Sequence, residues 1–284
     1  MIIHYKNETR LIDYLKQIRE TELFKKGGFL TKIGFAQTVY PDIYFHSGSL
    51  NSYSKTLIEN SKLIIVSSNI SKEEIVKKCL IKPFKIEVIH PAIETKKFKK
   101  KEIKIPFYEK HNISAEKKIV YFSARNMKQA GFEQFCKICQ NFEMENQQIV
   151  VTTFEDKEEA YAKDVLKHYE LDDAILLFEE EIYEVADIFI LPTSFSNFSR
   201  AVMKAMAAKC AVFVNNENHC IDILDIFSMM DGKNDPNISY KTDMLLRVTD
   251  ELKKIQKENY KIIKEFTFEK QQNELDDILV KHNL

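Results

Sequence analysis

The sequence predicts an α/β protein built on parallel sheets. Two observations carry that expectation. Short apolar runs alternate with amphipathic stretches of helical spacing along the chain, and the alternation restarts after a lysine-rich segment. Buried parallel strands read as continuous apolar runs, and each returns through a right-handed crossover, usually a helix. Two such series, joined near Phe98–Pro106, imply two Rossmann-like units. In such units ligands sit beyond the carboxyl ends of the strands.

In chain order, Met1–Tyr5 reads as a strand and Glu8–Lys26 as a helix. Leu11, Ile12, Leu15, Ile18 and Leu23 follow helical spacing there, and Gly27-Gly28 stops it. Phe29–Val39 is the next expected strand, then Lys62–Ser67 (KLIIVS). Ser71 and Glu74 form a capping-box pattern that opens a helix through Cys79. Lys85–His90 (KIEVIH) is strand-like and Pro91 ends it. In the second series Lys118–Ser123, Gln148–Thr153, Asp173–Phe178, Ile188–Leu191 and Ala211–Asn215 read as strands. Phe132–Phe142, Lys157–Tyr169 and Ser199–Ala208 read as helices, Ile182–Ala186 as a helical turn, and Asp243–Leu284 as almost entirely helical. Ser47, Ser49 and Ser52–Ser54 read as loop polarity.

Composition excludes several classes. The chain has 284 residues, 44% hydrophobic and 30% charged, a globular balance. No apolar run approaches the ~18 residues of a membrane helix. The first ten residues carry no secretory pattern, and five cysteines are an odd count rather than a disulfide framework. Reduced thiols in a cytoplasmic protein are the expectation. A net charge of −1 argues against a nucleic-acid partner. None of the six glycines forms a dinucleotide or P-loop fingerprint.

The charge is nevertheless uneven. Lys96–Lys104 holds six lysines, and Glu179, Glu180, Glu181 and Glu184 form an acidic counterpart. The lysine run reads as a solvated connector. Its alternative is a contact with anionic lipid headgroups, which would place the protein peripherally at the inner membrane surface. Cys136 and Cys139 form a C-x-x-C inside a helix, the wrong place for a redox pair, and a zinc site lacks two further ligands. His219 and Cys220 are the only adjacent candidates, so no metal is expected. No G-x-S-x-G elbow supports hydrolysis, and the twenty Phe with no Trp read as core.

Three stretches carry a family resemblance: Ile64–Phe98 (IIVSSNISKEEIV…KIEVIHPAIETKKF), Ile119–Phe135 (IVYFSARNMKQAGFEQF) and Ala186–Val214 (ADIFILPTSFSNFSRAVMKAMAAKCAVFV). In order and spacing they resemble the GT-B glycosyltransferases of the retaining, nucleotide-sugar class (glycosyl transferases group 1, family 4 type). The tail from Phe266 resembles that family's closing helix. The resemblance implies a truncated acceptor-side domain over 1–98, a nucleotide-sugar domain over 99–262, and a helix over 263–284 crossing back to the first domain. It implies a nucleotide diphosphate sugar as donor substrate, a surface-glycan or lipid-linked acceptor, and no separate cofactor.

Residue by residue, the resemblance places Arg125 and Lys128 on the leaving diphosphate, with Lys128 displaced by two positions from the family's lysine. Ser196, Asn197, Phe198 and Ser199 fall where the donor sugar is held, and Lys204 on the nucleotide side. Ser196 and Lys204 replace the two motif glutamates, while Pro192, Phe198 and Ala205–Ala207 match. Tyr40 stands where the family has a histidine. These departures keep a second reading open: a non-catalytic relative acting as a partner or structural subunit. The short first domain leaves an edge for a partner chain or a second copy.

Overall fold

The computed structural model describes residues 1–25, 39–232 and 234–284. The expected strand over Phe29–Val39 and the Gly27-Gly28 stop lie outside the described residues, except for Val39. The chain forms two compact units. The first is Met1–Ala92 together with Phe266–Leu284, and the second is Ile93–Glu265.

The first unit contains β1 (Ile2–Tyr5), α1 (Arg10–Ile18), β2 (Glu22–Leu23), β3 (Ile43–Phe45), α2 (Ser52–Asn60), β4 (Leu63–Val66), α3 (Asn69–Cys79) and β5 (Ile86–Val88). All pairings are parallel and the order is β2-β1-β3-β4-β5. The loop after the interior strand β1, Lys6–Thr9, holds no glycine. Thr9 caps α1 by accepting from the Ile12 amide. The helix ends earlier than its apolar spacing suggests. Arg19 turns extended, and Glu22–Leu23 pairs with Ile2–Ile3 as a short edge strand.

Two elements here escape local reading. The serines at 52–54 are not loop polarity. Asn51 and Ser54 exchange backbone and side-chain hydrogen bonds, a capping box that starts α2. Likewise α3 opens at Ser68, whose hydroxyl accepts from the Ser71 amide, rather than at Ser71. The unit closes with α10 (Phe268–Lys281). Its Leu275, Ile278 and Leu279 pack with Ile3, Leu15, Ile43 and Leu63 in one apolar cluster. Tyr14 donates to Asp276 at 2.7 Å, and Gln271 donates to the His90 carbonyl at 2.9 Å.

The second unit contains α4 (Lys100–Lys110), β6 (Lys118–Ser123), α5 (Phe132–Gln140), β7 (Gln147–Thr153), α6 (Asp156–His168), β8 (Ile175–Phe178), β9 (Ile188–Leu191), α7 (Arg200–Ala207), β10 (Ala211–Asn215), β11 (Met229–Met230), α8 (Asn237–Arg247) and α9 (Thr249–Ile263). Its six parallel strands run β8-β7-β6-β9-β10-β11. The order reverses between β6 and β9, so a crevice opens beyond the carboxyl ends of those two strands. The lysine run is not a uniformly solvated connector. Lys100 donates to the Lys209 carbonyl at 2.9 Å, beyond the end of α7, and Lys104 pairs with the nearly buried Asp187. Among the described residues, no helix is long and apolar enough to cross a membrane.

Candidate functional site

The site is built from loops at the carboxyl edge of the second sheet. The loop after β6 runs Ala124–Gly131 and is held at several points. Asn126 accepts from the Gln129 amide at 2.9 Å, and Glu158 on α6 accepts from the Met127 amide at 2.8 Å. Met127 is fully buried. Gly131 has φ +85°, and a Cβ there would lie 2.5 Å from the Pro192 carbonyl oxygen. Only glycine lets this loop approach the one after β9 so closely. The Thr193 hydroxyl completes the junction by donating to the Gln129 carbonyl at 3.3 Å.

Arg125 and Lys128 project from this stiff loop and are exposed. No carboxylate lies within ion-pair distance of either among the described residues. The Arg125 guanidinium carbon sits 5.0 Å from the Phe154 ring centroid. Phe154 follows β7, so the cation rests on the β6–β7 side of the crevice. The Pro192–Ser199 loop borders the β9 side. A stacked guanidinium keeps its N–H edge available for an anion.

On that β9 side, Ser196 and Asn197 are exposed and Phe198 is buried. Ser199 caps α7, accepting from the Val202 amide at 3.5 Å. The first turn of α7 carries no acidic residue, so its positive end is not neutralised from within. Local sequence reading misses what holds the cap. The Ser199 amide donates to the Cys220 sulfur at 3.1 Å, and the His219 amide donates to the Asn197 carbonyl at 3.0 Å. Both partners sit in the turn after β10. Cys220 is fully buried, and burial pushes its thiol up to about 12. No spacing signal links position 220 to position 199, because the contact exists only once β9 and β10 lie side by side.

Lys204 lies on α7, away from Ser196–Ser199. Its ammonium pairs with Glu181 at 2.5 Å and stands 5.7 Å from the Tyr183 ring centroid. A groove of about 230 Å³ opens beside it, within the second unit. The loop that carries Glu181 is anchored from the sheet. Tyr121 accepts from the Ile182 amide at 3.3 Å, and Thr152 donates to the Glu180 carbonyl at 2.6 Å. Burial raises the Tyr121 phenol to about 12, so it stays neutral.

All five cysteines are free and buried, and burial pushes the Cys136 and Cys139 thiols well above their usual range. Among the described residues, no group of three or more His, Cys, Asp or Glu is gathered to hold a metal.

Residues 104–228 match the family model for glycosyl transferases group 1. The match lies within the second unit, and over that stretch the chain is similar to group 1 glycosyltransferases. No curated protein matches the sequence. Solved structures show the fold. A glycosyltransferase from Rickettsia africae is 14% identical, with 98% of this chain and 84% of that one covered at TM-score 0.71. HepE of Anabaena, solved with UDP, is 12% identical, with 95% and 76% covered at TM-score 0.73. WaaG, a glycosyltransferase of lipopolysaccharide biosynthesis, is 10% identical, with 98% of both chains covered at TM-score 0.65. The fold class is that of the GT-B glycosyltransferases, two parallel-sheet α/β units. The group 1 match spans Lys104 to Ser228, and so contains β6 to β10 and every loop of the crevice.

Proposed function

We propose that the chain transfers a hexose from a nucleoside diphosphate sugar to a surface-glycan or lipid-linked acceptor. One observation carries the reading. Among the described residues two cations without carboxylate partners, Arg125 and Lys128, stand on a loop locked by Gly131 at the switch point, and the helix after the neighbouring β9 loop has a first turn free of acids. That combination suits a diphosphate. As the bond from the sugar's anomeric carbon to the diphosphate oxygen breaks, negative charge grows on the leaving group. Arg125 and Lys128 neutralise it, and the amide end of α7 adds a preorganised dipole. Ser196, Asn197 and the Ser199 turn border the sugar. Support also comes from the neighbours, since HepE of Anabaena was solved with UDP and with UDP-glucose.

The second reading, a relative that kept the fold without the chemistry, is favoured by Lys204, whose charge is taken up by Glu181. Titration calorimetry with UDP, GDP and their sugars separates the two. The enzyme reading expects binding that falls roughly 10- to 100-fold in Arg125→Ala, as for losing a charge-assisted hydrogen bond. Arg125 is exposed, so the melting temperature of the ligand-free variant should stay at the wild-type value. Silence across the panel leaves the non-catalytic reading.

A further inference from the structure

The amino edge of the first sheet carries a surface that the candidate site does not use. Helix α3 runs back against the strands, so its last turn and the short Pro83–Lys85 turn into β5 lie opposite the strand ends where crevices form. From Ile75 to Ile86 the chain reads IVKKCLIKPFKI, with four lysines and no acidic residue. Glu74 holds Lys78 at 2.5 Å. Lys77 and Lys82 are exposed and Lys85 is half-buried, and none of the three has a carboxylate within ion-pair distance among the described residues. The neighbouring α2 brings Lys55 and Glu59 near Cys79, charges of opposite sign that leave the basic balance intact.

Two large apolar side chains stand among these cations. Leu80 is 90% exposed and Phe84 62%. Leu80 ends α3 in the left-handed conformation, φ +51°, a position that glycine usually takes. A leucine there strains the backbone and hides almost none of its own surface. Pro83 opens the turn that holds Phe84 and fixes its backbone, and the Lys82 ammonium lies 5.8 Å from the Phe84 ring centroid. Apolar tips on a stiff turn, flanked by ammonium groups, match a surface where acyl chains lie beneath anionic phosphates. The stretch offers a protein partner no side-chain acceptor, because its only polar side chains are ammonium groups and the buried Cys79 thiol.

We propose that Leu80, Phe84 and the lysines around them dock this edge of the first unit on an anionic phospholipid bilayer. The longer basic run, Lys96–Lys104, is less free for that task. Lys99 pairs with Glu102, Lys100 donates to the Lys209 carbonyl, and Lys104 pairs with Asp187. The docking does not depend on the donor reading above.

Co-sedimentation of the full chain with vesicles tests it. The probes are vesicles of phosphatidylcholine alone and of equal parts phosphatidylcholine and phosphatidylglycerol. Wild type should bind the mixed vesicles and not the neutral ones. Leu80→Gly suits the left-handed backbone, so it should keep its melting temperature while binding about tenfold more weakly, the scale of one leucine returned to water. Lys82→Glu should weaken binding by about tenfold or more, since one favourable charge is lost and an unfavourable one added. A Lys97→Glu/Lys101→Glu control in the longer run should bind as wild type does. The chain has no tryptophan, so Phe84→Trp provides a lone fluorophore whose emission should move to shorter wavelength on the mixed vesicles only. Emission that stays put in vesicle-bound Phe84→Trp overturns the proposal, as does full binding by both Leu80→Gly and Lys82→Glu. Failure of wild type to bind the mixed vesicles overturns it too. None of these results bears on nucleotide binding, so the donor reading stands or falls separately.

Discussion

Among the described residues both sheets are parallel, and each reverses its strand order once, between β1 and β3 in the first unit and between β6 and β9 in the second. The chemistry at the two reversals is different. In the first unit the Tyr44 hydroxyl and His46 Nδ1 meet at 3.1 Å, both residues are buried, and the His4 ring lies 5.4 Å from that of Tyr44. Burial pushes both histidines below their usual range, so each packs against Tyr44 as a neutral ring at pH 7. In the second unit exposed cations stand on a loop locked by Gly131. Strand wiring therefore decides where a crevice forms, and the residues that follow each strand decide what charge it offers.

The largest test of this contrast is Gly131→Ala. A Cβ placed 2.5 Å from the Pro192 carbonyl oxygen cannot be accommodated without moving one of the two loops. The left-handed backbone adds a penalty of its own. We expect roughly 2–4 kcal/mol of lost stability in urea unfolding. A neutral result would show that the two loops are not wedged together, and the preorganised crevice would fall with it.

A smaller effect is expected at the cap of α7. Ser199→Ala removes the hydroxyl that receives the Val202 amide and should cost about 1 kcal/mol. Its Cys220 contact runs through the Ser199 backbone and should survive. An unchanged unfolding midpoint in Ser199→Ala would show that the hydroxyl contributes nothing to the cap.

The most modest expectation concerns pH and belongs to the first unit. His46 titrates below its ordinary value of 6.5, mainly through burial and against the pull of Glu74. A depressed folded value means that the unfolded chain binds the proton first. Stability from the neutral ring is thus complete above about pH 6.5 and declines as pH falls toward the folded value. His46→Gln should flatten that acid limb in melting curves between pH 7 and 5. An acid limb of unchanged slope would place the sensitivity elsewhere, with His4 the next residue to vary.

Much of the second unit is legible in its residues. Runs such as Lys118–Ser123 and Ile188–Leu191 are so apolar that only buried strands accommodate them, and both are strands. The first unit is harder to read because its strands are short and its signals mixed. Glu22–Leu23 is exposed and pairs only because β1 lies beside it, and α2 hides in a serine-rich stretch until Asn51 caps it. The site divides in the same way. Arg125 and Lys128 are visible as cations after a buried strand. The stacking of Arg125 on Phe154 and the capture of Lys204 by Glu181 are not.

By itself the sequence determined the alternation of strand and helix, the restart that makes two parallel-sheet units, and the position of the cationic loop. These follow from local hydrophobic period and from residue types close together in the chain. Only the tertiary structure decided which charges stay free and which are consumed. Lys204 and Glu181 are 23 residues apart, and Ser199 and Cys220 are 21 apart. Such partners are brought together by strand pairing, and no short-range pattern encodes a contact that exists only after the sheet has formed.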